Sequence, residues 1–315
     1  MNLADDIKQK ALDLGFDLVG ITDASPIDRQ DVERLTAWLD AGCAGQMQYM
    51  YRNLDKRTNP AKLLEGAQSV VVVGLNYKPP NTPPSSVPIG HIAPYAQYED
   101  YHRFIKKKLR KLTDFLVSKA GPCLKFKICT DSAPVLERAL AVRAGLGFIG
   151  KNHALTNPRL GPQIFLGEII TNLELTPDKP VAACCSKCDK CLAACPTGCL
   201  QPDGRFDAAK CISYLTIEYA GDIPADLAAK IGSHLFGCSD CLLACPYQQN
   251  APPCKNTQFA YYADRTAFNP DEILGLTDEE FEIRFADSPL LRPGLAQLKR
   301  NAHICLKNLS NPSVD

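Results

Sequence analysis

Short runs rich in β-branched and aromatic residues punctuate the first half of the chain. They are "FDLVGIT" (16–22), "SVVVVGLNY" (69–77) and "FKICT" (126–130), and each reads as a strand. "IFLGEIITNLEL" (164–175) reads as a further strand or hairpin arm. Between them, apolar residues recur at helical spacing over 3–14, 31–41, 100–119 and 133–144. The segment "KPPNTPPSSVPIGHIAP" (78–94) is proline-rich and predicts a loop. From residue 260 onward the spacing is helical again. The pattern predicts an α+β protein in three parts: a first domain over 1–175, a cysteine-rich module over 176–259 and a helical segment over 260–315.

Composition narrows the class. The chain has 315 residues, 45% of them hydrophobic and 22% charged, as an ordinary globular protein does. The longest apolar run, Val70 to Leu75, is far shorter than a membrane span, and the first residues lack the apolar core of a signal peptide. Thirty-five basic residues balance thirty-five acidic ones, which argues against indiscriminate nucleic-acid binding while leaving room for a local basic face. Fifteen cysteines without a secretion signal suit a reducing compartment, and the expected location is cytoplasmic, with no membrane partner.

The cysteines carry the chemistry. Cys185, Cys188, Cys191 and Cys195-Pro196 fit C-x2-C-x2-C-x3-C-P, in which three thiolates wrap one iron–sulfur cube and the fourth serves another. Fifty residues on, Cys238, Cys241 and Cys245 repeat the phrase, with Leu235 where the first cysteine would fall. Cys211 lies between the runs and supplies the missing thiol. The expected ligand sets are Cys185, Cys188, Cys191 and Cys245 for one cluster, and Cys195, Cys211, Cys238 and Cys241 for the other. Structural zinc favours two separated CxxC pairs without the x3-C-P tail. Of the seven remaining cysteines most are expected to be buried small hydrophobes, with Cys184 and Cys199 near enough to compete as ligands.

"GLGFIGKN" (145–152) imitates two phosphate-binding motifs, but the segment before it is helical, where both motifs need a strand. Gly145 then ends that helix, and Asn152 stands where a P-loop needs a hydroxyl. An electron carrier does not need a first domain twice the size of its cluster module, so the first domain is expected to hold a redox active site. The alternatives are a two-cluster electron-transfer subunit and a reductase of a small molecule.

The stretch "CTDSAPVLERALAVRAGLGFIGKNHALTN", followed by "IFLGEI", resembles epoxyqueuosine reductase. The likeness continues through "CCSKCDKCLAACPTGCL", "CISYLTIE", "FGCSDCLLACP" and "LKRNAHICLKN", and upstream through "YMYRNLDKRTNPAKLLEGAQSVVVVGLNY". It implies an oxidoreductase of tRNA processing that reduces epoxyqueuosine to queuosine at the wobble position. It also implies two 4Fe-4S clusters that feed a cobalamin, and a nitroreductase-like domain shared with reductive dehalogenases. A low-potential donor such as flavodoxin or ferredoxin would supply the electrons.

The resemblance also carries over residues. Asp131 matches the family's proton donor, for which a raised pKa in a desolvated pocket is expected. On the residues alone, Asp131 and Ser132 equally serve as caps of a helix starting near Pro134. Arg57 matches an arginine near the corrin, against the plainer reading of a surface charge. Lys151 and Asn152 are placed at corrin amides or phosphate, against simple hairpin capping. Ser213, Ser239 and Asp240 flank cluster cysteines and are assigned to the cobalamin. In "DYHRFI", Ile105 replaces the glycine of the cobalt-histidine motif D-x-H-x-x-G, so base-off cobalamin without a protein histidine is expected. Longer family members continue into a helical-repeat domain that grips tRNA, whereas this chain stops at Asp315. The expected grip is therefore local, from Arg103, Lys106, Lys107, Lys108, Arg110 and Lys111 with Arg292, Lys299 and Arg300, against the plainer reading of a solvated face.

Overall fold

The computed structural model describes residues 2–80 and 90–310. Chain order begins with α1 (Leu3–Asp13), β1 (Leu18–Asp23), α2 (Arg29–Asp40), α3 (Leu54–Arg57), β2 (Ser69–Asn76) and β3 (Gly90–Ile92). It continues with α4 (Tyr101–Ala120), β4 (Phe126–Cys129), α5 (Glu137–Arg143), β5 (Phe148–Ile149), β6 (Leu155–Thr156) and β7 (Ile164–Thr171). The central sheet has the order β1-β2-β7-β4 and is antiparallel throughout. Every residue of β2 is buried, because both faces of the sheet are covered and the usual alternation of apolar and polar positions disappears. One face packs Val71, Val73 and Ile169 against α1 and α4, through Ile7, Ile105, Leu109 and Leu112. The other packs Val70, Val72 and Ile170 against Leu140 and Ala141 of α5.

Two glycines set how closely these layers approach. A β-carbon on Gly20 of β1 would lie 2.0 Å from the Ala144 carbonyl oxygen, so the end of α5 rests on bare backbone. On Gly167 of β7 it would lie 2.7 Å from Ile105, where α4 crosses the sheet.

The second half contains α6 (Lys190–Ala193), α7 (Ile212–Ile217), α8 (Ala225–Ile231), β8 (His234–Phe236), α9 (Asp240–Leu243) and α10 (Pro246–Gln249). After these come β9 (Ala267–Phe268), α11 (Pro270–Gly275), α12 (Asp278–Phe285) and α13 (Leu295–Ser310). A second sheet has the order β8-β3-β9, with β3 parallel to β8 and antiparallel to β9. It takes one strand from each of the three parts of the chain. Its core includes Ile92, Phe236, Phe268, Phe285 and Leu298.

The strands expected over 16–22, 69–77 and 126–130 and most of the helices of the first half appear within two residues of expectation, whereas β7 ends at Thr171, four residues short of 164–175. Helix α5 is shorter than 133–144: its first turn is displaced by the loop that carries Asp131. Of the proline-rich segment, residues 81–89 lie outside the described residues, while Gly90–Ile92 is a strand rather than loop. The C-terminal part likewise contains β9, and not helix alone. Among the seven cysteines outside the ligand sets, only Cys129, Cys199 and Cys305 are buried; Cys123 and Cys184 are exposed. No described helix is long and apolar enough to cross a membrane.

Candidate active site

Helix α4 starts at a side-chain cap, and that cap positions the site. Asp100 accepts the His102 backbone N–H at 2.9 Å. The same Oδ1 lies 2.8 Å from His102 Nδ1. The neighbouring Tyr101 ring is stacked between the His102 ring, at 4.0 Å, and Phe165 of β7, at 4.1 Å. The imidazole is thereby fixed in plane and direction, with Nε2 2.9 Å from Asp131 Oδ2. Each ring nitrogen faces a carboxylate oxygen, so both must donate and the ring must be an imidazolium. Burial opposes the charge, but the hydrogen bonds to Asp100 and Asp131 outweigh it and raise the His102 pKa to about 9.

Asp131 follows β4 in a left-handed backbone conformation, φ 56°. Its backbone N–H donates to Glu137 Oε1 at 2.5 Å. The capping role is not the one it plays: α5 begins only at Glu137 and has no side-chain cap. The expectation of a raised pKa is also corrected. Burial pushes the carboxyl up, yet the His102 hydrogen bond, its charge and that of Arg292 together hold it below the ordinary carboxylate value. Tyr101 hydrogen-bonds the same carboxylate. Arg292 stands 3.9 Å from Asp131 and pairs with Glu218 at the end of α7. Tyr49 hydrogen-bonds Arg292 on the other side.

Beneath the loop lie two more acids. Glu168 of β7 is fully buried, and its carboxyl meets that of Glu137. Burial first, then the charge of Glu137 or Asp131, pushes both carboxyls upward. Arg57, at the end of α3, is a buried charge and not a surface one. Its guanidinium donates to the Tyr49 carbonyl at 3.0 Å, and its Nε has no partner among the described residues.

The thiols gather where the two cysteine runs meet, with α6 packed on α9. Cys211 lies within electrostatic reach of Cys195, and Cys238 within reach of Cys211 and Cys241. Cys241 in turn interacts with Cys211 and Cys195. Cys191 has Cys185 and Cys188 as its neighbours. Sets of soft thiolates of this kind fit iron–sulfur clusters. Cys199 adds a buried fifth thiol, its Sγ 3.3 Å from that of Cys195.

The hairpin β5–β6 carries the glycine turn, so neither nucleotide-binding geometry is present there. Its tip touches the cluster region: Lys151 pairs with Asp189 and lies within reach of Cys185 and Cys188. Asn152 Nδ2 is 3.4 Å from the Cys241 carbonyl oxygen. Ser213 is half-buried on α7, and Ser239 is buried as the N-cap residue of α9. Asp240 is engaged by His234 Nε2 at 3.0 Å, with Cys238 Sγ 3.9 Å from the same nitrogen.

Some of the expected basic face belongs elsewhere. Lys108 is buried, where its ammonium bonds Gln258 and lies over the Phe104 ring. Arg300 donates to the carbonyls of Leu215, Tyr219 and Gly221, and Arg292 belongs to the Asp131 site. Arg103, Lys107, Arg110 and Lys111 remain exposed along one side of α4. A groove of about 670 Å³ between α8 and α13, lined in part by Lys299, His303 and Lys307, contains none of the site's acids or thiols.

Comparison with known proteins brings these observations together. A family model described as epoxyqueuosine reductase QueG, DUF1730, matches residues 57–132, and one for a 4Fe-4S double cluster binding domain matches 184–248. The epoxyqueuosine reductase of Pseudomonas aeruginosa is 38% identical over 311 residues, covering 97% of this chain and 85% of its own. This chain belongs to the epoxyqueuosine reductase family. The Escherichia coli member is 36% identical over 310 residues, covering 97% of this chain and 81% of its own. A crystal structure of epoxyqueuosine reductase with a tRNA-Tyr epoxyqueuosine-modified stem loop superposes with TM-score 0.91 at 31% identity, covering 99% of this chain and 82% of that one. The Bacillus subtilis enzyme, in a structure whose catalytic aspartate loop is swung out of the active site, superposes with TM-score 0.90 at 30% identity. It covers 99% of this chain and 82% of that one. The match confirms the mixed helix and strand architecture with a double-cluster module.

In this family member, sequence reasoning singled out Asp131 but not the side chains that the fold gathers around it, Tyr49, Tyr101, Glu137, Glu168 and Glu218. His102 had a signal, its place two residues after Asp100 in a capping sequence, but it entered only as a rejected cobalt ligand.

The His102–Asp131 pair has a defined pH window. The His102 contribution is fully present below its ordinary value of about 6.5 and is lost as pH rises through about 9. The Asp131 contribution is present above the ordinary carboxylate value of 3.8 and is lost as pH falls through its lowered one. Histidine-resolved NMR titration should place the His102 midpoint near 9, and Asp131→Asn should move it down. A midpoint unchanged in that variant would mean that Asp100 alone holds the charge.

Proposed function

We propose that this enzyme reduces epoxyqueuosine to queuosine at the wobble position of tRNA, with Asp131 as the acid that meets the epoxide oxygen. The observation that carries this reading is the Asp100–His102–Asp131 chain, in which His102 Nε2 lies 2.9 Å from the Asp131 carboxylate oxygen. Two electrons and two protons convert the epoxide to an alkene and one water. When bound, cobalamin supplies low-potential electrons, delivered from two 4Fe-4S clusters, to the epoxide carbon. His102 holds a proton at Nε2 and passes it to Asp131 Oδ2 as negative charge grows on the departing oxygen. The second proton reaches the site from solvent, since the Asp131 side chain is 43% exposed.

Residues suited to the corrin surround this chain. Arg57 has a buried Nε with no partner among the described residues, and Tyr49, beside Arg292, is an exposed aromatic. Ile149 in the hairpin and Leu243, two residues beyond Cys241, are exposed apolar side chains. We assign Ser213, Ser239 and Asp240 to the side nearest the clusters. On this reading residues 1–175 form a nitroreductase-like catalytic domain, 176–259 the cluster module and 260–315 a helical segment that contributes Arg292. Flavodoxin or ferredoxin in the cytoplasm is the source of electrons.

Anaerobic reconstitution should give eight irons and one cobalt per chain. Cys211→Ala should retain about four irons of the cube type; retention of all eight would hand its place to Cys199 or Cys184.

Asp131→Asn should keep cobalamin and both clusters while losing about 10²–10⁴-fold in turnover, the usual worth of general-acid catalysis. Turnover at the wild-type rate would remove Asp131 from the chemistry.

The partner is gripped locally, by the exposed side of α4, and read at an unstacked anticodon base. Charge reversal at Lys107, Arg110 and Lys111 should weaken tRNA binding and flatten its salt dependence by about one unit of slope per lost phosphate contact. An unaltered slope would turn this helix away from tRNA.

A further inference from the structure

Glu168 sits in β7 on the face that packs against α5, fully buried, and neither of its carboxyl oxygens finds a hydrogen-bond donor among the described residues. The group it meets is the Glu137 carboxyl. Two carboxylates are both acceptors, so they satisfy one another only with a proton between them. Two bare charges at this depth would each carry the desolvation cost and repel. The remaining ionisable neighbours do not replace that proton. Arg138 is engaged by the His153 carbonyl at 2.7 Å, and Arg57 by that of Tyr49. Asp131 adds only negative charge, and the Cys129 thiol, pushed up to about 12 by burial, stays neutral.

The upper member of the pair touches the catalytic loop. Glu137 Oε1 accepts the backbone N–H of Asp131, the residue held in the left-handed region. A non-glycine residue stays there only when its surroundings over-determine it. We propose that Glu137 and Glu168 share a single proton, and that this protonated pair is the latch that points Asp131 toward His102. Glu137 and Glu168 are thus positioning residues. The proposal rests on the reading of Asp131 as the acid, yet the latch can be measured without turnover. It gives the loop a reason to have two positions: with the proton in place Glu137 is anchored to the sheet, and without it the pair repels and Asp131 is released.

The test is hydrogen–deuterium exchange of the loop around Asp131 in the reconstituted holoenzyme across pH, after correction for intrinsic exchange. In the wild type, protection of the loop should fall on the alkaline side. Glu168→Gln provides a permanent neutral donor, so protection should persist there, and the infrared carbonyl band of a protonated buried acid should vanish. Glu168→Ala removes the anchor, so the loop should exchange at least about tenfold faster at neutral pH. It should also lower kcat more than it raises KM for tRNA. Wild-type protection independent of pH would overturn the latch, as would a Glu168→Gln variant with the wild-type pH response. The exchange and infrared readings need no tRNA activity, so failure of the proposed reaction and failure of the latch are distinguishable.

Discussion

An imidazole with a carboxylate oxygen at each ring nitrogen has no neutral tautomer that satisfies both, so His102 must stay charged while Asp100 and Asp131 are ionised. That constraint organises the site outward. Asp100 serves at once as the cap of α4 and as an acceptor for the ring, so helix start and charge are one device. Tyr101 is stacked between the ring and the sheet through Phe165, which ties the imidazolium to the scaffold and not to a loop. Asp131 and Arg292 then arrange themselves about the fixed charge.

The first half of the fold was legible because its strands concentrate β-branched residues and its helices have clean apolar stripes. Helix α4 is an example: Ile105, Leu109, Leu112 and Leu116 are buried while Lys107, Arg110 and Lys111 are exposed. The stripe still misled at Lys108, which lies in the buried face and was counted with its exposed neighbours. The second sheet was invisible because its strands are two or three residues long and come from distant parts of the chain. No local periodicity marks a strand that short. Arg292 was assigned to tRNA for a similar reason: its partner Glu218 is 74 residues away, and nothing in the sequence joins them.

The cysteine runs were legible for the opposite reason. Their meaning lies in spacing, which short helical turns convert directly into convergence of thiols. Cys211 required an argument from a missing ligand, and its thiol lies within reach of Cys195 and Cys238. Cys199 stands near enough in the chain to compete as a ligand, and its Sγ does lie 3.3 Å from that of Cys195, but a ligand count of eight left no vacancy for it. The hairpin tip shows a different limit. A glycine turn with a lysine suggests an anion, and nothing in the sequence says that Lys151 also faces Asp189 and the thiols of the first run, or Asn152 the backbone at Cys241.

The expectation that the acid should have a raised pKa treated the donor as one residue. A proton donor must hold a proton at working pH, and a carboxyl below its ordinary value does not. On the proposed reading the proton is stored on His102, and Asp131 is the oxygen through which it would be delivered. The pair therefore titrates as a unit, and its acid strength belongs to both groups. Such an arrangement suits an oxygen whose basicity appears only as its bond to carbon breaks. A neutral carboxylic acid in the same place would be a stronger acid, but it would also have to remain protonated beside Arg292. The imidazolium avoids that conflict: its charge is balanced by Asp100 on one side and Asp131 on the other, so the proton is stored without an unpaired charge in the site.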